Sequence, residues 1–186
     1  IDSDPLPPGQ VWAMSPGSAD AGPSLYRIEV TVGPGSGAKI LNHPVPPSFR
    51  ESVRYAEQNL YTRSKELVGD RDPRSHEFSI QLRAMDHDKS GTSIGLPVLV
   101  ALCSALLEKS ARGGAILIGA LNLGGSIDPL KNAVAMAELA VEKGALTALM
   151  PVSARKQLFD LSYDMATKIN IQFYSDPQDA VLKSIE

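Results

Sequence analysis

The sequence predicts one domain of the α+β class, with a mixed α/β arrangement of strands and helices. Residues 25–32 and 78–85 alternate apolar and polar side chains, as half-buried strands do. Residues 94–107 form an uncharged apolar run that is too short to cross a bilayer and indicates a buried helix. The other elements mix without a strict βαβ rhythm, and the early strands are expected to pair antiparallel. A length of 186 residues suits one such domain with a small appended arm.

The composition argues against several classes of function. Eighteen basic and 21 acidic residues give a net charge of −3, which does not favour a strong nucleic-acid or membrane footprint. The single cysteine, Cys103, lies inside the apolar run, where it is expected to be a small buried hydrophobe. The sequence has no zinc-type Cys/His spacing, signal peptide or membrane-spanning pattern. We therefore expect a cytoplasmic protein and, because the chain opens with Ile1 rather than methionine, a fragment of a longer one.

The first 24 residues are rich in Pro, Gly, Ser, Asp and Ala, which predicts an N-terminal arm and loop with a short strand at residues 10–14. The glycine-rich residues 33–39, GPGSGAK, follow the strand at residues 25–32. A phosphate-binding loop needs Gly-Lys-Ser/Thr at the start of a helix, whereas Lys39 leads into more extended sequence. The segment is therefore predicted to be a glycine turn between two strands.

The middle of the chain predicts a helix at residues 47–68, broken by residues 69–76. Its apolar positions share one face and are Val53, Ala56, Leu60 and Leu67. The strand at residues 78–85 then leads through a polar loop into the apolar helix, which is expected to end near residue 109.

The second half of the chain predicts shorter elements. Residues 113–128 indicate two strands joined near residues 119–122, or one long bent strand. Asp128 as N-cap and Pro129 in the first turn predict a helix that runs to Lys143 and stops at Gly144. The remaining predictions are a strand at 146–150, a helix at 153–161, a strand at 169–174 and a helix at 176–185.

Ser93 stands where the polar loop meets the apolar helix. The first amide groups of a helix have no internal partner and carry partial positive charge. A serine at this position can be a plain N-cap, or a nucleophile whose oxyanion is met by backbone amides. Because capping serines are common, the residues alone favour the N-cap.

The segment around Ser93 resembles the nucleophile segment of the Lon proteolytic domain, an ATP-dependent serine peptidase. Lon writes P-K-D-G-P-S-A-G where this chain has DKSGTSIG at residues 88–95. The run IGALNLGGSIDPL at residues 118–130, the helix end at Lys143-Gly144 and the strand ALMP at residues 148–151 continue the likeness without a gap. The resemblance implies a Lon-type proteolytic domain over residues 25–186, with residues 1–24 as the arm.

The chain also resembles the Lon-like domain of the ATPase of BREX phage-defence systems. This resemblance rests on the segments LYRIEV, GSIDPLKNAV, ELAVEKGA and MPVSARKQL. Either resemblance implies a fold related to the second domain of ribosomal protein S5. It also implies an AAA+ part that uses ATP and Mg, and a homo-oligomeric ring, six-membered by expectation. An active domain would act on unfolded protein, and DNA would be reached only through the AAA+ part. Neither a cofactor nor a membrane partner is expected for this domain.

The resemblance also implies that the catalytic lysine of Lon is absent from this chain. Lon uses a Ser-Lys dyad, and in the gapless match Ser93 falls on the nucleophile while Met136 falls on the lysine. A thioether cannot act as a general base. The threonine and glutamate of the Lon site fall on Ile118 and Ala120. If the match holds, Ser93 and Met136 are expected to face each other across a small apolar pocket.

The other candidate bases are Lys131, Lys89 and His87. Lys131 lies five residues before Met136, so its side chain should point away from that helix face and into solvent. Lys89 belongs to the loop but not to the base position, and His87, beside Asp86 and Asp88, is expected to be exposed. The primary hypothesis is a proteolytically impaired, ring-forming module of an AAA+ machine. The alternative is an active endopeptidase in which Ser93 works with Lys131.

Overall fold

A seven-stranded mixed sheet forms the centre of the computed structural model, which describes residues 1–18 and 20–185. Its spatial order is β3-β4-β2-β1-β5-β6-β7. The strands are β1 Gln10–Ser15, β2 Ser24–Pro34, β3 Gly37–Ile40, β4 His76–Ala84, β5 Ala115–Leu117, β6 Thr147–Pro151 and β7 Asn170–Tyr174. Part of the predicted N-terminal arm therefore lies inside the sheet, because β1 is its middle strand.

The sheet is antiparallel in one half and parallel in the other. Strand β2 pairs antiparallel with β1 and β4, and Val30 lies opposite Ile80. Strands β1, β5, β6 and β7 run parallel, and β3 runs parallel to β4 at the far edge. This mixture confirms the α+β class and the early antiparallel pairing that the alternating segments predicted.

The helices follow the predicted order with different boundaries. They are α1 Pro47–Thr62, α2 Ser64–Val68, α3 Gly95–Leu107, α4 Ala133–Glu142, α5 Tyr163–Ala166 and α6 Pro177–Ser184. The predicted helix at 47–68 is divided at Arg63, and the predicted helix at 153–161 is a 3-10 helix at Val152–Asp160. Among the residues described, no helix has both the length and the apolar character needed to cross a bilayer.

Helix α4 starts later than predicted. Asp128 and Pro129 do not begin it, because a hairpin holds the preceding segment: Leu121 pairs with Ile127, and the Asp128 amide donates to the Ala120 carbonyl at 2.8 Å. The helix begins at Ala133, whose amide is met by the Gln157 side chain at 3.1 Å. Residues 113–128 accordingly form β5 and this hairpin rather than one bent strand.

The core has two layers, one on each face of the sheet. Helices α1 and α3 pack on one face, where α3 is buried along nearly its whole length. Helix α4 covers the other face. Along β5, Leu117 belongs to the cluster beneath α3, whereas its neighbours Ile116 and Ile118 belong to the cluster beneath α4. Adjacent residues of a strand point to opposite faces, so the two clusters are separated by the sheet.

Candidate active site

The loop that carries Ser93 is held at several points between β4 and α3. The Asp86 carboxylate accepts the Leu25 amide at 2.8 Å and the Lys143 ammonium at 2.9 Å. Burial alone would raise the pKa of Asp86, but the Leu25 amide and the Lys143 ammonium outweigh it and lower the pKa below its ordinary value. Further along, the Gly91 amide donates to the buried Tyr26 hydroxyl at 3.2 Å. The loop therefore presents Ser93 from a fixed backbone.

Ser93 does not cap the helix. Its φ of 57° lies in the left-handed region, and α3 begins two residues later at Gly95, with Ile94 in the capping position and no side-chain cap bond. The N-cap interpretation is therefore wrong. The Ser93 side chain is half-buried, and its hydroxyl has no hydrogen-bond partner within residues 1–18 and 20–185. A non-glycine residue at positive φ is uncommon, because the left-handed region is sterically unfavourable for residues with a Cβ.

Ser93 lines a pocket of about 130 Å³ formed by three segments. Its walls carry five hydroxyl side chains, two carboxylates and three small or apolar residues; these are Ser48, Glu51, Ser52, Tyr55, Thr92, Ser93, Gly95, Ala120, Leu121 and Asp128. Gly95 allows the walls to approach, since a Cβ there would lie 3.2 Å from the Leu121 Cβ. The pocket is thus mainly polar, and the expectation of an apolar pocket is wrong.

The wall from α1 supplies much of the pocket's charge and polarity. Ser48, Glu51, Ser52 and Tyr55 follow the i, i+3, i+4, i+7 spacing of one helix face, which lies beside the apolar stripe that faces the core. The Glu51 carboxylate, with a smaller contribution from Asp128, raises the pKa of Tyr55. Sequence reasoning missed this wall, although the polar spacing could have indicated it.

The wall from the hairpin is fixed by α1. The Asn59 amide donates to the Asn122 carbonyl at 3.1 Å, and Arg63 donates to the Gly124 carbonyl at 3.0 Å. The Asn122 side chain in turn donates to the Asp128 carboxylate at 3.3 Å. These contacts set Asp128 across the pocket from α1.

Met136 lies on the other side of the sheet. It is fully buried among apolar residues beneath α4, in the same cluster as Ile118 and Met150. Met136 does not line the Ser93 pocket, and it belongs to the cluster beneath α4, whereas the start of α3 belongs to the other cluster. Of the positions matched to the Lon site, Ala120 lines the Ser93 pocket and Ile118 does not.

The remaining candidate bases also stand apart from the pocket. Lys131 is exposed in the connection before α4, and Lys89 and His87 are exposed in the loop. In the described part of the chain, neither a lysine nor a histidine lines the pocket, and His, Cys, Asp and Glu form no group of three or more that could hold a metal ion. The chemistry present at Ser93 is that of hydroxyls and carboxylates.

Comparison with known proteins places the chain in a family. The family model described as Subunit ChlI of Mg-chelatase matches residues 50–154, which is more than half of the chain. The chain belongs to this family. The matched residues of this ChlI-family chain run from α1 through the Ser93 loop, α3, the hairpin and α4 to the segment after β6.

The curated relatives of this ChlI-family chain are named Lon protease or Lon-like protease BrxL. It is 30% identical over 87% of its length to a Lon-like protease BrxL of Escherichia coli O9:H4 (strain HS), and 29% identical over 94% to a Lon protease of Lawsonia intracellularis (strain PHE/MN1-00). It is 20% identical over 96% to a Lon-like protease BrxL of Bacillus cereus (strain H3081.97). The resemblance to the Lon proteolytic domain and its Lon-like relatives is therefore confirmed, and so is the Lon-like α+β fold. The chain spans 21–26% of the length of these three relatives.

Proposed function

We propose that this chain is a Lon-type domain that has lost Ser-Lys peptidase chemistry and serves as a ring-forming module of an AAA+ machine. The observation that carries the proposal is the composition of the Ser93 pocket, which includes Glu51 and Asp128 but no amine or imidazole among the described residues. A serine hydroxyl needs an adjacent base to attack a peptide bond. Met136, the position matched to the Lon lysine, lies on α4 and is buried in an apolar cluster that does not include Ser93.

The electrostatics of the pocket support the same proposal. A lysine that serves as a base must lose its proton near neutral pH, which requires burial in poorly solvated surroundings to lower its pKa. Carboxylates close to an amine have the opposite effect, because they favour the ammonium form. The Glu51 and Asp128 side chains would therefore oppose the deprotonation of any lysine that entered the pocket.

This proposal includes an AAA+ part that uses ATP and Mg. It also includes a six-membered ring, a cytoplasmic location and a role in phage defence. The chain spans about a quarter of the length of these curated relatives, whose remaining length is where we place the AAA+ part. Identical subunits that meet head to tail form a ring when the rotation between neighbours closes, and an open filament when it does not. Light scattering on the native protein with ATP and Mg²⁺ should give a cyclic oligomer, and a monomer at all concentrations would contradict the ring.

Peptide cleavage tests the loss of activity. We expect the native protein to degrade an unfolded substrate no faster than its Ser93→Ala variant, while a working Lon protease degrades it in the same assay. Ser3→Ala, at an exposed position in the first segment, is the matched control. Robust cleavage that is abolished in both Ser93→Ala and Lys131→Ala would overturn the proposal and establish the alternative, an endopeptidase with Lys131 as base.

A further inference from the structure

We draw no further inference here: the strongest candidate, the surface patch of exposed aromatic side chains at Phe159 and Tyr163 on the connection between β6 and β7, carries none because nothing in the described part of the chain shows what covers it.

Discussion

The Lys143 ammonium lies 2.9 Å from an oxygen of the Asp86 carboxylate, which ties the end of α4 to the loop that carries Ser93. Asp86 follows β4 by two residues, and Lys143 is the C-cap residue of α4. Both side chains are half-buried, and the same carboxylate also accepts the Leu25 amide. Asp86 therefore links the start of β2 and the end of α4 to the loop of the candidate site.

Asp86→Asn should lower the free energy of unfolding by about 1 kcal/mol at neutral pH, because it removes the charge from a half-buried pair while leaving an oxygen for the Leu25 amide. The pKa of Asp86 is lowered in the folded state. Its contribution is thus fully present above the unfolded aspartate pKa of about 3.9 and is lost as the pH falls through the folded value. Urea unfolding of both proteins between neutral and acidic pH measures the difference.

The matched control is Asp164→Asn, which removes an exposed ion pair with Lys168. It should change stability by no more than about 0.5 kcal/mol at any pH. A stability difference for Asp86→Asn that grows as the pH falls, or one equal to the control, would contradict the assignment.

Cys103 should resist thiol reagents in the folded chain. Its side chain is fully buried in α3, and burial raises the pKa of the thiol to about 12, so little thiolate exists at neutral pH. Labelling must wait for the chain to open, and should be about a thousandfold or more slower than for an exposed cysteine. A Cys103→Ala, Ser3→Cys variant provides that reference. Similar rates for the two cysteines under native conditions would refute the burial of α3.

Local patterns were enough to predict much of the fold. The alternation along β2 and β4 and the charge-free run of α3 arise from burial on one face or on all faces, and such burial is visible in the residues themselves. The start of α4 was not predictable in this way. Asp128 and Pro129 have the residue types of a helix start, but the Asp128 amide is held in the hairpin by the Ala120 carbonyl. The helix starts instead at Ala133, whose amide donates to the Gln157 side chain. These are long-range contacts.

The candidate site was predictable only in part for the same reason. The loop around Ser93 was located from its polar, glycine-bearing sequence and from its resemblance to Lon. The α1 wall with Glu51 and Ser52 required knowledge of helix packing, and the face on which Met136 lies required the sheet order. A gapless match assigns Met136 to a position along the chain, but the side of the sheet depends on how α4 crosses it.

Asn59→Ala should loosen the hairpin that carries one wall of the pocket. The Asn59 side chain is buried and donates to the carbonyls of Tyr55 and Asn122, so its loss should cost about 1–3 kcal/mol of stability. Amide hydrogen exchange of Gly125 and Ser126 should accelerate. Gln58→Ala, at the exposed neighbouring position, is the control and should leave these amides unchanged. Equal exchange in both variants would show that α1 does not hold the hairpin.

Met136→Lys restores the residue type of the Lon dyad at its matched position, and we expect it to destabilise the chain without creating a peptidase. Met136 is fully buried in the apolar cluster beneath α4. An ammonium group there would lack a partner, and burial would lower the pKa of the new lysine by up to about 3–5 units. The folded-state pKa would then lie below the unfolded value, so the destabilisation should increase as the pH falls towards the folded pKa and become constant below it.

Chemical unfolding of Met136→Lys at several pH values measures this trend, and peptide cleavage is assayed on the same samples. Met136→Leu conserves the volume and should cost less than about 1.5 kcal/mol. A Met136→Lys variant that is as stable as Met136→Leu at neutral pH would contradict the burial of this position. Cleavage that appears in Met136→Lys and disappears when Ser93→Ala is added would place residue 136 within reach of the Ser93 hydroxyl, and the separation of the two by the sheet would be wrong.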